Sequence, residues 1–227
     1  MNLRLNSLAA MVDEDVRIAD IGTDHAYLPI ELINSGKISY AIASDIAKGP
    51  LDNAKKDVQE AGLADQIDIR LGAGLSTISE HDQIDTVIIA GMGGKLITQI
   101  LDDAWQNKLQ FKTLVLEPNV GECGVRKWLT EHSYEIKAEQ IVAEAGHTYE
   151  LIKAVKSQIK SNLSTAELYF GPFLLREKND IFKQKWLGQL KYHQSLLTNL
   201  NKAKNKDLVH IKQVEHEIKM IEGVLND

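Results

Sequence analysis

The chain has 227 residues, 44% of them apolar, and a single cysteine, Cys123. That length accommodates one α/β domain plus a smaller appendage. One cysteine excludes an internal disulfide framework and any cysteine-based zinc site, and no run reaches the roughly 18 to 20 apolar residues of a membrane span. The net charge of −6 hides two unlike parts: residues 1–150 carry 13 Lys and Arg against 24 Asp and Glu, whereas residues 151–227 carry 13 against 8.

The first twelve residues, MNLRLNSLAAMV, have amphipathic helical spacing without the long apolar core and cleavage site of a signal peptide. A cytoplasmic protein with no membrane partner is therefore expected. The next stretch, VRIADIGTDHAYL at 16–28, reads as a strand, a tight turn at Gly22 and a helix over 25–35 that ends at Gly36. A glycine closing a first parallel strand lets backbone and ligand approach closely. The loop D-I-G-T-D-H has one of the three glycines of the dinucleotide fingerprint, so a cofactor without phosphates fits better than NAD.

A second strand, ISYAIASD, ends on Asp45, 23 residues beyond Gly22. A carboxylate at that point is placed to hold ribose hydroxyls, or else it caps the helix that starts near Gly49 and Pro50. That helix runs over 51–61. A third strand, QIDIRLGAGL, closes with Gly72, Ala73 and Gly74, small residues that admit the flat face of an adenine. The most apolar run, IDTVIIAGMGG, has the composition of a central strand buried on both faces, with Gly91, Gly93 and Gly94 keeping the crevice floor open. TLVLEP forms a fifth strand, followed by a helix over 124–132.

From Tyr134 to Val155 the pattern changes to two long runs joined at Gly146, an antiparallel hairpin. Five β/α units followed by such a hairpin predict a mostly parallel seven-stranded sheet. After a polar stretch to about Thr165, Trp186, Leu190, Leu197, Leu200, Leu208, Ile211, Val214, Ile218, Ile221 and Leu225 recur at spacings of three, four or seven. They predict an antiparallel coiled-coil hairpin with its turn at 201–206 and Lys202, Lys204 and Lys206 at the tip. The expected division is a ligand-binding domain over 1–160 and a helical domain over 161–227. The basic helical part suits a polyanion, since Lys and Arg gain binding energy by releasing counterions from phosphates; the alternative is a solvated lysine-rich surface.

Several blocks together, D-I-G-T-D-H-A-Y-L-P at 20–29, S-D-I at 44–46, A-G-M-G-G at 90–94, E-P-N at 117–119 and the helical tail, resemble the TrmK family of bacterial tRNA methyltransferases. The resemblance covers the whole chain and implies a class I, Rossmann-like S-adenosylmethionine-dependent fold that methylates N1 of adenine 22 in tRNA. It departs at Glu117, where the family tends to have Gln, and at Ala73, where an acidic residue is usual. It implies a cofactor site made of Asp20, Gly22, Thr23, His25, Asp45, Ile46, Gly72, Ala73, Gly74, Ala90, Gly91 and Met92. Tyr27, Gly93, Glu117, Asn119, Lys202, Lys204 and Lys206 would meet the substrate, and no metal is implied.

The chemistry agrees with the resemblance. Enzymes that methylate the exocyclic amine of adenine carry an Asn or Asp, two prolines and an aromatic after the fourth strand, and this chain has Ala90-Gly91-Met92-Gly93 there. A ring nitrogen with a free lone pair needs alignment with the methyl rather than such a clamp. Methylation leaves positive charge on the base, which a nearby carboxylate stabilises or relieves by taking a proton. Asp24 is the candidate, with helix N-capping as its other possible role; Tyr27 either stacks on a flipped base or packs in the core. Rival readings are a methyltransferase acting on a small molecule or another RNA, and a noncatalytic RNA-binding module.

Overall fold

The computed structural model describes residues 2–159 and 162–226. The strands are β1 (Arg17–Ile21), β2 (Tyr40–Asp45), β3 (Ile67–Leu71), β4 (Thr86–Gly93), β5 (Thr113–Val120), β6 (Tyr134–Glu144) and β7 (His147–Lys156). They form one sheet in the order β3-β2-β1-β4-β5-β7-β6, with β1 to β5 parallel and β7 antiparallel to both its neighbours. The chain leaves β1 towards β2 on one side and returns to β4 on the other. The crevice at the carboxyl ends of β1 and β4 is thus the topological switch point, where open α/β sheets bind ligands.

Helices α1 (Leu3–Met11), α2 (Tyr27–Asn34) and α3 (Lys48–Glu60) bury Leu8, Leu28, Leu32 and Val58 against one face of the sheet. On the other face, α4 (Gly94–Gln106) and α5 (Glu122–Glu131) bury Ile97, Leu101, Val125 and Leu129. The central strands Val87-Ile88-Ile89 and Leu114-Val115-Leu116 are fully buried, as their unbroken apolar runs require.

Four expectations change. Helix α2 begins at Tyr27 rather than residue 25, because Ala26 adopts a left-handed conformation (φ 52°) and donates its N–H to Thr23 Oγ1 at 3.1 Å. The third strand ends at Leu71, and Gly74–Thr77 turn into a 3₁₀ helix. The polar stretch leads into two unanticipated helices, α6 (Thr165–Phe170) and α7 (Leu174–Glu177), before the paired helices α8 (Asp180–Lys202) and α9 (Leu208–Asn226). Leu208 is exposed, because the α8–α9 seam begins one turn later, at Ile211 and Val214.

The expected boundary at 160/161 lies outside the described residues. Beyond it, Phe170, Leu174, Phe182, Trp186 and Ile221 form a cluster that includes Ile141 of β6, so the tail is packed onto the sheet domain. Beneath this cluster Arg126, fully buried, donates to Glu139 at 2.7 Å and to Glu150 at 2.5 Å. Lys185 of α8 reaches Glu150 (2.8 Å) and Glu122 (2.5 Å).

Candidate active site

Two cavities meet at Gly22. The larger, about 800 Å³, is lined by Asp45, Ile46, Gly72, Ala73, Gly74 and Met92, among others; the smaller, about 410 Å³, by Arg4, Asp20, Thr23, Asp24, His25 and Tyr27, with Ala90 and Gly91. Met92 lines the larger one and packs onto Gly22: a Cβ on Gly22 would fall 2.1 Å from Met92 Cε, and Gly22 has φ +82°. Only glycine meets both demands without displacing the methionine. A bulge in β4 at Gly91 (φ 77°) assigns Ala90 and Gly91 to the smaller cavity and Met92 to the larger.

The amides of Gly22 and Thr23 both donate to Ser44 O, at 2.8 and 3.1 Å. They tie the β1 loop to the tip of β2 instead of offering a nest to a phosphate. Asp45, beside them, accepts from Ala47 N–H at 2.6 Å with Oδ1 and lines the larger cavity. It does not cap α3, whose N-cap is Ala47. Next to it Ile46 is 72% exposed, an apolar face presented to whatever enters.

In the smaller cavity, burial pushes the Asp20 carboxyl up to about 6 against the opposing effects of its Thr23 hydrogen bond and of Arg4. Asp24 is not the cap of α2, a position held by Ala26, and its side chain is 67% exposed with His25 Nε2 at 3.6 Å. His25 Nδ1 lies 2.7 Å from Asp57, and the Tyr27 ring stacks on His25 with centroids 4.8 Å apart and planes 4° from parallel. Tyr27 is therefore half-exposed in a platform at the mouth and not part of the core.

Glu117 is fully buried, with Oε2 accepting from Arg4 Nη1 (2.5 Å) and Gly91 N–H (3.1 Å), and Oε1 without a hydrogen bond among the described residues. Burial raises its pKa and Arg4 opposes the rise. Asn119 donates to Gly91 O at 2.7 Å and lines a third cleft, between the sheet and α8. Gly93 forms the N-cap of α4 and lines none of the three cavities. Lys202, Lys204 and Lys206 are exposed at the far end of α8, whose 23 residues span about 35 Å. Cys123 is half-buried, which pushes its thiol pKa up. Among the described residues no group of His, Cys, Asp and Glu is arranged to hold a metal ion, and no helix is long and apolar enough to cross a membrane.

Sequence reasoning missed Arg4 and Asp57. The one available signal for Arg4 was that it is the only cation before residue 17. Nothing local reveals a partner 113 residues away.

The sheet order, the antiparallel β7 and a divided crevice with a carboxylate at the tip of β2 define a class I S-adenosylmethionine-dependent methyltransferase. The family model for tRNA (adenine(22)-N(1))-methyltransferase, TrmK, matches residues 18–223, and the chain belongs to that family. The tRNA (adenine(22)-N(1))-methyltransferase of Bacillus subtilis is 34% identical over 233 residues, covering 100% of this chain and 97% of that protein. A putative tRNA (m1A22) methyltransferase of Streptococcus pneumoniae, solved with S-adenosyl-L-methionine, is 36% identical with a TM-score of 0.89 over 99% of both chains. The TrmK of M. capricolum, solved with S-adenosyl-homocysteine, is 31% identical with a TM-score of 0.88, over 100% of this chain and 98% of that one.

Proposed function

We propose that this chain transfers the methyl of S-adenosylmethionine to N1 of adenine 22 in tRNA in the cytoplasm, with the adenosine of the cofactor in the larger cavity and its methionine end in the smaller. The observation that carries this reading is the meeting of the two cavities at Gly22, with Asp45 in one and Asp24 in the other. The cofactor supplies an electrophilic methyl on a sulfonium; the chain supplies alignment and charge. Asp45 holds the ribose hydroxyls, while Gly72, Ala73 and Ile46 bound the adenine. The Tyr27–His25 stack, braced by Asp57, receives the target base at the mouth beside Asp24. As N1 forms its bond to carbon the base becomes cationic, and Asp24 balances that charge or accepts a proton from the exocyclic amine.

The direct test is methyl transfer to a tRNA transcript with adenine at position 22 and to the same transcript with guanine there. Methylation of the first and none of the second is expected; equal labelling would refute the position. Asp45→Ala should weaken S-adenosylhomocysteine binding about tenfold to a hundredfold in calorimetry, since hydrogen bonds to a charged acceptor contribute ~1.5 to 3 kcal/mol. Unchanged affinity in the folded variant removes Asp45 from the site.

The helix pair is the tRNA grip in this reading, supported by the exposure of Lys202, Lys204 and Lys206 at its tip. Charge reversal of all three should weaken tRNA binding and flatten its log-log dependence on salt by roughly 0.9 for each phosphate no longer neutralised. Cofactor affinity should stay as it is. An unaltered salt slope would return RNA recognition to the sheet domain.

A further inference from the structure

Arg4 enters the smaller cavity from α1, a helix outside the β/α units that build the crevice. Three contacts fix α1 there. Asn2 caps it by accepting from Leu5 N–H, Leu3 N–H donates to Glu144 at 2.6 Å, and Leu8 is buried. The Arg4 guanidinium then lies 5.4 Å over the Tyr149 ring, and Nη1 is held by Glu117. Gly91 runs alongside, where a Cβ would come 3.7 Å from Nη1. Arg4 is therefore held against the cavity wall, with 24% of its side chain exposed.

A guanidinium has five N–H donors in a rigid fork. Glu117 takes a donor on one nitrogen only. The same cavity is lined by the carboxylates of Asp20 and Asp24, so it holds one fixed arginine among acidic groups. A ligand end that carries one carboxylate together with cationic groups matches that arrangement. The methionine end of S-adenosylmethionine has an α-carboxylate, an α-ammonium and a sulfonium.

We propose that Arg4 is a cofactor-binding residue, whose free guanidinium edge takes the α-carboxylate of S-adenosylmethionine, and that buried Glu117 is the positioning residue that fixes its orientation. The assignment rests on the cofactor placement given above. It makes the N-terminal helix part of the cofactor site, and it explains why a fully buried carboxylate stands within β5: Glu117 anchors a cation that serves the neighbouring cavity. Asp20, a carboxylate of the same cavity, is left to face the α-ammonium.

The test compares two ligands by calorimetry: S-adenosylhomocysteine, and its decarboxylated analogue S-adenosyl-3-thiopropylamine. The wild type should prefer the first by about tenfold to a hundredfold, the range of a charge-assisted hydrogen-bonded pair. Arg4→Gln should erase that preference. Because this variant strands Glu117 as a buried unpaired charge, Arg4→Gln/Glu117→Gln is measured beside it, with a neutral amide pair in place of the ion pair. Loss of the preference in the variants supports the assignment. A preference retained in them, or a wild type that binds both ligands equally, overturns the role of Arg4 and leaves the cofactor assignment standing. A wild type that binds neither ligand overturns both.

Discussion

Arg126→Ala is expected to destabilise the protein by about 3 to 5 kcal/mol, the cost of removing one partner from a buried ion pair. Arg126 is fully buried, and so are both of its carboxylate partners. Burial works against its charge, but Glu150 and Glu139 outweigh it and raise the Arg126 pKa. Its Nη1 also donates to the carbonyls of Leu168 and Tyr169 at the end of α6. Gly171 closes over the group so tightly that a Cβ there would lie 2.7 Å from Arg126 Nη2 and Glu139 Oε2. Alanine at 126 leaves buried Glu139 with the Phe173 amide in place of a cation, while Glu150 keeps Lys185. Urea unfolding measures the loss. Replacing Arg126, Glu139 and Glu150 together by apolar side chains of similar volume should recover much of it, because the stranded charge dominates the cost and the absent hydrogen bonds do not. An Arg126→Ala variant within about 1 kcal/mol of wild type would sink this account.

The same network bears on the two-domain reading. Lys185, near the start of α8, is bonded to Glu122 at the first position of α5 and to Glu150 of β7. The helix pair is therefore fixed to the sheet by paired charges as well as by the apolar cluster in which Phe170, Phe182 and Trp186 pack with Ile141 of β6. A chain cut at residue 160 loses α6, Gly171 and Lys185 at once and opens the Arg126 cluster to water. We propose that the sheet domain and the tail are functional parts that share one stabilising interface, so loosening the cluster frees the lysine tip from its bearing relative to the crevice.

What could be read in the sequence was whatever local chemistry determines. Unbroken apolar runs gave β4 and β5, the Gly146 turn gave the hairpin, and the heptad spacing gave α8 and α9 within a few residues. The residues at the tips of β1 and β2 could be placed because a parallel sheet puts successive strand ends on one edge. Helix α6 also had a local sign, since Ser164 and Glu167 form a reciprocal capping box. It is six residues long and breaks off at Gly171, too short for periodicity to register. Arg4, Arg126 and Lys185 were not legible: their partners lie 113, 13 and 24, and 63 and 35 residues away, and only the folded sheet brings them together. Asp24 and His25 were legible as residues but not as conformations. Their setting depends on the left-handed turn at Ala26, an unusual state for alanine that no propensity would assign.

That turn separates the two roles open to Asp24. Thr23, not Asp24, receives the Ala26 amide, and the Asp24 carboxylate is largely exposed with His25 Nε2 3.6 Å away. Asp24→Asn should therefore leave stability and cofactor affinity close to wild type, because no cap or buried pair is lost. The methyl-transfer step should slow by roughly a hundredfold or more, the range for losing a positioned acid–base or charge-stabilising group. Single-turnover methylation of tRNA at saturating S-adenosylmethionine isolates that step from binding and product release. Asp24→Glu, which keeps the charge on a longer arm, should recover part of the rate. A slow step with unchanged tRNA affinity assigns the carboxylate to the developing charge on the base, whereas weaker tRNA binding at a normal rate assigns it to the entrance alone. If Asp24→Asn methylates tRNA at the wild-type single-turnover rate, the charge on adenine is met elsewhere, and Asp20, the other carboxylate of the smaller cavity, becomes the group to test.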